Sequence, residues 1–357
     1  MKVVVIGGGI NGLCCAWQLA LNGASVKVIE KSTIMNQTSS ASSKLLHGGL
    51  RYLENFQFNL VYESLRERNW WLKTVPELTN ELHMVLPVYK NGPRSKWMIK
   101  LGLLFYDILS GKANIAKHKW IPKEELKLIS FDLKMENLKG AFRFSDGQMD
   151  DYRLGLWVAD QAKNHGVEII ENSAVSKIDL DGSIIVNNEH RKFDRIVNTC
   201  GPWAYELIKN SDIKGQFKLD LIRGSHILLK NEPEQPYFLQ AENDGRIFFV
   251  LPYNGKTLIG TTEVRQDLNS PIEPSIKEIN YLLNEYNKYF VEKKTEDDII
   301  GKFAGLRPLI SSSDNPKDIK REYKIEIMGN LINVYGGKWT TAMSLGKKVA
   351  KKVLSKN

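Results

Sequence analysis

The sequence has few cysteines and no long run of apolar residues. Its 357 residues include three cysteines, Cys14, Cys15 and Cys200, whose spacing matches neither a disulfide framework nor a metal site. The six histidines show no ligand pairing either, so no metal centre is expected. No window approaches the roughly 20 apolar residues of a membrane-spanning helix. These absences exclude a disulfide-stapled scaffold and a protein anchored by a spanning helix.

No secretory signal is recognisable at the start of the chain. Residues 3–6 form an apolar run that leads directly into glycines, without the cleavage site of a signal peptide. Reduced cysteines suit the cytoplasm, and we expect a cytoplasmic protein. The formal net charge of +9 favours anionic partners, such as a phosphorylated substrate, a dinucleotide, an acidic membrane surface or nucleic acid. Because the lysines are scattered and no nucleic-acid motif occurs, nucleic acid is not expected.

The most specific pattern lies in the first thirty residues. Residues 3–6 predict a buried parallel strand, and residues 7–12 (GGGING) match the pattern G-x-G-x-x-G. An amphipathic helix should follow, and Ser25 to Ile29 should form a second strand that leads to Glu30. The residues predicted on the inner face of the helix are Leu13, Ala16, Trp17 and Ala20.

This arrangement is typical of a site for the ADP half of a dinucleotide. Gly7 permits the tight turn, Gly9 lets the backbone approach a pyrophosphate, and Gly12 lets the helix pack closely. The helix N-terminus offers N–H groups to phosphates, and Glu30 is placed to accept ribose hydroxyls. The alternative is a glycine-rich turn in another α/β domain. The pattern alone does not distinguish NAD from FAD.

A polar segment, residues 37–54 (QTSSASSKLLHGGLRYLE), follows the second strand. Its hydroxyls, glycines, histidine and arginine are unusual for a linker. We interpret it as a loop along the cofactor, with hydroxyl and N–H groups on the pyrophosphate. The alternative is a polar loop that caps the helix starting at Leu50.

Further motifs occur in order along the chain. They are residues 144–146 (FSD), 150–154 (DDYRL), 199–203 (TCGPW), 224–227 (GSHI), 260–263 (GTTE), 305–309 (GLRPL) and 336–341 (GGKWTT). Together with residues 38–54 they resemble the flavin-dependent glycerol-3-phosphate dehydrogenases, within the flavoproteins similar to D-amino-acid oxidase. The respiratory members of that family carry an additional helical C-terminal domain, and the sequence is expected to be a short form without it.

The resemblance implies an α/β fold with a discontinuous Rossmann-like FAD-binding domain and an antiparallel-sheet substrate domain with helices. The FAD-binding domain is expected over residues 1–75, 150–215 and 300–357, and the substrate-binding or cap domain over residues 76–149 and 216–299. Residues 55–150 are expected to be rich in helices. Local patterns also predict helices at Asp151 to Asn164, Ile276 to Phe290 and Lys338 to Leu354, and a hairpin within Tyr323 to Tyr335.

FAD, held without a covalent bond, is the cofactor that the resemblance implies. Covalent attachment through His47 or a cysteine, as in distant relatives, is not expected. The residues expected to contact FAD are Gly7, Gly9, Asn11, Gly12, Glu30, Lys31, Thr38, Ser39, Ser42, Ser43, Lys44, His47, Gly48, Gly49, Val175, Cys200, Gly201, Trp203, Gly305, Arg307, Gly337, Lys338, Trp339 and Thr340.

A phosphorylated substrate needs cations of fixed geometry, and the guanidinium fork binds phosphate oxygens in pairs. The residues that the resemblance places at the substrate are Arg51, Tyr52, His226, Arg307, Arg321 and Lys338. Arg321 lies between a lysine and a glutamate, so a solvated surface position is the alternative for it.

The catalytic candidates are His226, Arg307 and Lys338. The expected reaction oxidises sn-glycerol 3-phosphate to dihydroxyacetone phosphate by hydride transfer from C2 to N5 of FAD. His226 would take the hydroxyl proton, although a structural histidine is the alternative. Nearby positive charges, including Lys338, would stabilise the alkoxide and the reduced flavin.

The electrons are expected to pass to a quinone or another acceptor. One alternative is an oxidase of the same fold that reduces oxygen, with a related phosphorylated polyol, hydroxy acid or amino acid as substrate. Another is a flavin-bound protein without turnover, acting as a redox sensor or a subunit of a complex.

The segment from Arg94 to Leu109 is basic and aromatic, and it is too short to span a bilayer. It could lie on the inner face of the cell membrane as a peripheral contact, or form a helix packed over the substrate region.

Overall fold

The computed structural model describes residues 1–111, 115–242, 244–311 and 323–355. The helices are α1 (Ile10–Leu21), α2 (Phe58–Thr74), α3 (Lys96–Ser110), α4 (Lys123–Leu126), α5 (Asp151–Asn164), α6 (Ala204–Asn210), α7 (Ile276–Tyr289) and α8 (Ala342–Leu354). The strands are β1 (Lys2–Ile6), β2 (Ser25–Ile29), β3 (Leu45–Leu46), β4 (Thr79–Tyr89), β5 (Lys119–Pro122), β6 (Leu138–Met149), β7 (Glu168–Ile170), β8 (Val175–Ile178), β9 (Ser183–Val186), β10 (Glu189–Lys192), β11 (Arg195–Asn198), β12 (Leu219–Lys230), β13 (Tyr237–Gln240), β14 (Ile247–Tyr253), β15 (Lys256–Gly260), β16 (Val264–Arg265), β17 (Ile299–Ile310), β18 (Lys324–Met328) and β19 (Leu331–Tyr335).

A largely parallel sheet carries the glycine motif. Its strand order is β18-β19-β11-β1-β2-β7, and only β18 and β19 pair antiparallel. Val3, Val4 and Val5 are fully buried because α1, α5 and α8 cover one face and α6 with the small β8–β10 sheet covers the other. A Cβ at Gly346 would lie 2.7 Å from the Cys14 carbonyl oxygen, so glycine permits the close packing of α8 on α1.

A second, mostly antiparallel sheet lies beside the first. Its order is β16-β12-β15-β14-β13-β4-β6-β3, and β17 also pairs with β12 along its length. α7 packs on one face through Ile279, Leu282 and Leu283. α2 and α3 pack on the other face through residues such as Leu65 and Leu103. Each face buries apolar side chains, which is the main stabilising contribution to such a layered fold.

The predicted fold class is confirmed, because a Rossmann-like parallel sheet stands beside an antiparallel sheet with helices. The predicted strand, helix and strand of the first thirty residues correspond to β1, α1 and β2. The hairpin predicted within residues 323–335 is present as β18 and β19. The predicted division into two domains stays a prediction.

Two expectations about local structure were wrong in part. Residues 55–150 contain α2 and α3 but also the long strands β4 and β6, which pair with each other along their whole length. The closing helix begins at Ala342, not at Lys338. Gly336 and Gly337 have positive φ angles of 76° and 100°, and the chain leaves this turn before helical geometry begins.

Candidate active site

A cavity of about 580 Å³ is lined by residues of both sheets. Its size falls within the range of roughly 300–1,000 Å³ that is common for ligand sites. The carboxyl ends of β1, β2, β11 and β19 open into it, together with the N-terminus of α1. Ligands bind at this edge of open parallel sheets.

The turn after β1 forms one end of the cavity. Gly7 has a φ of +105°, and a Cβ there would lie 2.7 Å from the Thr199 carbonyl oxygen. Gly9 lines the cavity, and a Cβ on it would lie 2.9 Å from the Ser39 hydroxyl oxygen. The space in front of α1 is therefore kept open by missing side chains. Because the helix N-terminus attracts anions, this cradle fits the pyrophosphate of FAD.

Glu30, which is expected to accept the ribose hydroxyls, binds backbone N–H groups in this structure. Its carboxylate lines the cavity but also accepts hydrogen bonds from the N–H groups of Gly8 at 2.7 Å and Ser32 at 3.0 Å. The acid therefore fixes the glycine turn. Nearby, the Lys31 ammonium lies 3.6 Å from the centroid of the Trp203 ring, which places an aromatic ring and a cation at this end of the cavity.

The polar segment 37–54 lines the cavity as expected, but some of its hydroxyls bind protein groups. Thr38 Oγ1 donates to the Leu306 carbonyl oxygen at 2.8 Å. Ser42 Oγ donates to the Asp151 carboxylate at 2.7 Å. These bonds hold the segment against β17 and α5, so it forms a fixed wall of the cavity.

Most residues expected to contact FAD border this one cavity. They are Gly7, Gly9, Asn11, Glu30, Lys31, Thr38, Ser39, Ser42, Ser43, His47, Gly49, Val175, Cys200, Gly201, Trp203, Gly305, Arg307, Gly337, Lys338, Trp339 and Thr340. Arg51, Tyr52 and His226, expected at the substrate, border it too.

Three residues expected at the cofactor lie behind the cavity wall and act in packing. A Cβ at Gly12 would lie 2.0 Å from the Gly7 carbonyl oxygen, so Gly12 lets α1 approach the turn. Lys44 is buried in an ion pair of 2.6 Å with Asp151. The Gly48 N–H donates to the Tyr106 hydroxyl at 2.7 Å. Neighbouring residues of all three still line the cavity.

Arg321, expected to bind substrate, lies outside the described residues.

His226 is buried on β12 at the cavity wall. Its ring stacks on Phe303 with centroids 4.8 Å apart, and its Nε2 lies 2.9 Å from Ser43 Oγ. Burial lowers the pKa of His226 well below its usual range, and the positive charges of Arg307 and Lys44 lower it further. The imidazole is therefore neutral at pH 7 and has the protonation state that a general base requires.

Arg307 is held by the first two residues after β15. Its Nη2 donates to Thr261 Oγ1 at 2.8 Å and to the Thr262 carbonyl oxygen at 3.1 Å. A Cβ at Gly224 would lie 1.9 Å from this nitrogen, so a larger residue there would displace the guanidinium from its present position. The structure thus fixes the direction in which the arginine points.

Two other cationic side chains lie at the same end of the cavity. Arg51 Nη2 and Arg307 Nη1 lie 3.3 Å and 3.5 Å from the same oxygen of Glu263. Lys338 Nζ lies 3.9 Å from the centroid of the Tyr52 ring. The cavity therefore has a cofactor end at the glycine turn, which suits a dinucleotide, and a substrate end with three cationic side chains. The positive charge of the substrate end suits an anionic substrate.

Sequence reasoning missed the roles of Glu263 and Phe303. Glu263 belongs to the motif GTTE at residues 260–263, and the motif alone assigns no role to the acid. Phe303 carries no motif, and its position under His226 follows from the pairing of β12 with β17.

Comparison with known proteins identifies relatives over nearly the whole chain. Residues 2–352 match the family model for FAD dependent oxidoreductases. The glycerol-3-phosphate dehydrogenase of Pseudomonas tolaasii is 37% identical, over 97% of this chain and 70% of the relative. The aerobic glycerol-3-phosphate dehydrogenase of Escherichia coli is 35% identical, over 98% of this chain and 73% of the relative. The D-erythritol 1-phosphate dehydrogenase of Brucella abortus is 34% identical, over 96% of this chain and 72% of the relative.

Solved structures show the same fold. The glycerol-3-phosphate dehydrogenase of Bacillus halodurans, complexed with FAD, superposes with a TM-score of 0.79 at 25% identity. The match covers 99% of this chain and 64% of that protein. The L-α-glycerophosphate oxidase of Mycoplasma pneumoniae, with FAD bound, has a TM-score of 0.78 at 17% identity. The match covers 99% of this chain and 95% of that protein.

Proposed function

This chain belongs to the family of FAD-dependent oxidoreductases, and we propose that it oxidises sn-glycerol 3-phosphate to dihydroxyacetone phosphate. The observation that carries this proposal is the set of cations at one end of the cavity, Arg51, Arg307 and Lys338, beside the neutral base His226. Curated relatives that act on glycerol 3-phosphate support the same substrate.

The residues of the chain divide the work of the reaction. FAD, held without a covalent bond, supplies the acceptor for the hydride that leaves C2 of the substrate. Arg307 and Arg51 bind the phosphate, because guanidinium groups pair with phosphate oxygens. His226 accepts the proton of the C2 hydroxyl through a ring nitrogen, and Lys338 stabilises the negative charge that develops on that oxygen.

The predicted domain division assigns these groups to separate parts of the chain. The glycine turn and the polar segment belong to the FAD-binding domain, whereas His226 and the acid of the GTTE motif come from the substrate domain. A site at such a junction excludes water from the reacting atoms when the ligand fills it.

The electron acceptor distinguishes the dehydrogenase from an oxidase of the same fold. We propose that a quinone is the acceptor. The experiment supplies glycerol 3-phosphate together with a soluble quinone analogue in air, and measures dihydroxyacetone phosphate, quinone reduction and hydrogen peroxide. Product in a one-to-one ratio with reduced quinone supports the proposal, whereas product matched by peroxide would support the oxidase.

An apolar patch on α3 suits a membrane carrying such a quinone. α3 buries Ile99, Leu103 and Tyr106 against the protein. Its opposite face exposes Trp97, Leu101 and other large apolar side chains. The patch comprises Phe56, Phe58, Trp97, Met98, Leu101, Leu104, Phe105 and Ile108. Every helix in the described part of the chain is too short or too polar to span a bilayer.

We propose that this patch binds the surface of an anionic bilayer. Phe56 and Phe105 both lie close to Phe58, with ring centroids 6.2 Å and 6.1 Å apart, so the patch is continuous. Lys96 and Lys100 lie on the same helix and provide charges that complement acidic lipids.

Leu101→Asp tests the patch by vesicle sedimentation. We expect the wild type to bind vesicles of phosphatidylglycerol and phosphatidylcholine more tightly than pure phosphatidylcholine, and Leu101→Asp to lose most of this binding. Val291→Asp, at an exposed apolar residue outside the patch, is the control. A wild type that binds neither vesicle but forms a dimer dispersed by Leu101→Asp would assign the patch to a second copy of the chain and contradict the proposal.

A further inference from the structure

A buried carboxylate at a site for an anion needs a physical reason, since it would repel the phosphate. Glu263 lines the cavity, yet its side chain is only 3% exposed. The side chains of Arg51 and Arg307 are 28% and 23% exposed. The carboxylate therefore lies behind the two guanidinium groups, which face the ligand.

We infer that Glu263 is a positioning residue that holds Arg51 and Arg307 as a preformed clamp for the phosphate. The inference rests on the proposed function. One carboxylate oxygen lies 3.3 Å from Arg51 Nη2 and 3.5 Å from Arg307 Nη1. Sharing this oxygen brings together two like charges that would otherwise repel each other.

The acid also lowers the positive charge that the three cationic side chains bring to this end of the cavity. Arg51, Arg307 and Lys338 contribute three positive charges, and Glu263 contributes one negative charge. Burial lowers the pKa of His226, so that ring is neutral. Among these described residues the sum is +2. A phosphate monoester carries roughly −1.5 to −2 at pH 7. Glu263 thus leaves a net positive charge among these four residues, which favours a doubly charged phosphate ester over a singly charged carboxylate.

Because Glu263 preorganises the two arginines, it strengthens phosphate binding overall in spite of its negative charge. A flexible arginine loses side-chain entropy when it binds a ligand, and this loss weakens the binding. Glu263 fixes both arginines before the ligand arrives. The negative charge of Glu263 by itself weakens phosphate binding. This repulsion and the preorganisation of the arginines can be separated by experiment.

Glu263→Gln separates them with inorganic phosphate as the probe. The oxidised holoenzyme is titrated with phosphate, and the dissociation constant is read from the change in flavin absorbance. We expect Glu263→Gln to raise this constant at least about tenfold and to raise KM for glycerol 3-phosphate similarly, with kcat within about threefold of the wild type. Glu285→Gln is the matched control, because Glu285 is also a buried acid with a lysine partner, on α7 outside the cavity wall.

Unchanged or tighter phosphate binding in Glu263→Gln would overturn the inference, since removing a negative charge alone strengthens anion binding. Glu263→Asp keeps the charge but withdraws the carboxylate by one methylene, and weaker phosphate binding is expected again. It serves as the second variant if Glu263→Gln does not retain FAD, and unchanged binding there also contradicts the clamp.

A double-mutant cycle tests whether the acid acts through the arginine. In an Arg51→Ala background, Glu263→Gln should change phosphate binding less than it does in the wild type. Equal effects in both backgrounds would contradict the clamp. Failure of glycerol 3-phosphate to reduce the wild-type flavin would instead overturn the proposed substrate, while the phosphate constants would still decide the role of Glu263.

Discussion

The two ends of the cavity are built in different ways. At the cofactor end, Gly7, Gly9 and Glu30 come from one short stretch, and missing side chains create the space. At the substrate end, the charged Arg51 and Arg307 and the neutral His226 come from distant segments and are fixed by partners behind them. One end depends on backbone shape, and the other depends on the placement of charge.

This difference predicts how each end responds to substitution. Added volume at the cofactor end should weaken FAD binding and leave substrate preference unchanged. Altered charge at the substrate end should impair catalysis and leave FAD in place. A substitution that produced both effects would show that the two ends are not separable.

Arg307→Ala should have the largest effect. Losing a hydrogen-bonded charge partner of the phosphate costs about 2–5 kcal/mol, so kcat/KM for glycerol 3-phosphate should fall roughly 10³-fold. FAD content, measured from the absorbance ratio of flavin to protein, should change little, because Arg307 is one of many residues expected to contact FAD along the cavity. Arg191→Ala, at an exposed arginine paired with Glu189, is the control. A fall of less than tenfold would contradict the role of Arg307 in binding phosphate.

His226→Gln should slow flavin reduction roughly 10²-fold, at the lower end of the range for loss of a general base. Rapid mixing without oxygen measures this rate directly. Because burial and nearby cations lower the pKa of His226, the wild-type rate should stay level as the pH falls from 8 to 6.5. His190→Gln, at an exposed histidine on β10, is the control. A variant that reacts at the wild-type rate would make His226 a structural residue.

Gly9→Ala should weaken FAD binding about tenfold. The φ of Gly9 is −77°, so alanine fits the backbone, and the effect comes from a Cβ that would lie 2.9 Å from Ser39 Oγ. The dissociation constant of FAD from the Gly9→Ala variant, measured by the recovery of flavin fluorescence on dilution, reports the effect. Gly102→Ala is the control, because the nearest atom to its Cβ would lie 3.9 Å away. Unchanged FAD affinity with altered KM would reverse the distinction between the two ends.

The smallest effect expected is on stability in acid. The pKa of His226 is lower in the folded chain than the value of about 6.5 in the unfolded chain. The unfolded chain then binds the proton more readily, so stability is complete above about pH 6.5 and falls as the pH drops below it. Between pH 7.5 and 5.5 the Tm of His226→Gln should fall less than that of the wild type, by roughly 2 °C. An equal fall in both proteins would place the acid sensitivity elsewhere.

The local part of the fold was predictable from the sequence, for a physical reason. β1, α1 and β2 follow one another, and the turn between β1 and α1 needs glycines that are visible in the sequence. β4 and β6 were missed because β6 is buried on both faces and so lacks alternation. Its buried Asp146 is paired with Arg68 of α2, at 2.8 Å, and that partner cannot be inferred locally.

The substrate end could be predicted only by resemblance. Arg307 and His226 stand on paired strands, β17 and β12, yet the sequence between them gives no sign of their proximity. Glu263 was missed because its ion-pair partners are two arginines from other segments. The pattern of residue types indicates an anion site, but only the fold shows which charges meet.

The most direct measurement is an anaerobic titration of the purified protein with sn-glycerol 3-phosphate, followed through the visible absorbance band of the flavin. Prompt bleaching at stoichiometric amounts, with dihydroxyacetone phosphate as product, is the expected result. An intact flavin spectrum after excess substrate, from protein that dithionite still reduces, would contradict the assigned substrate.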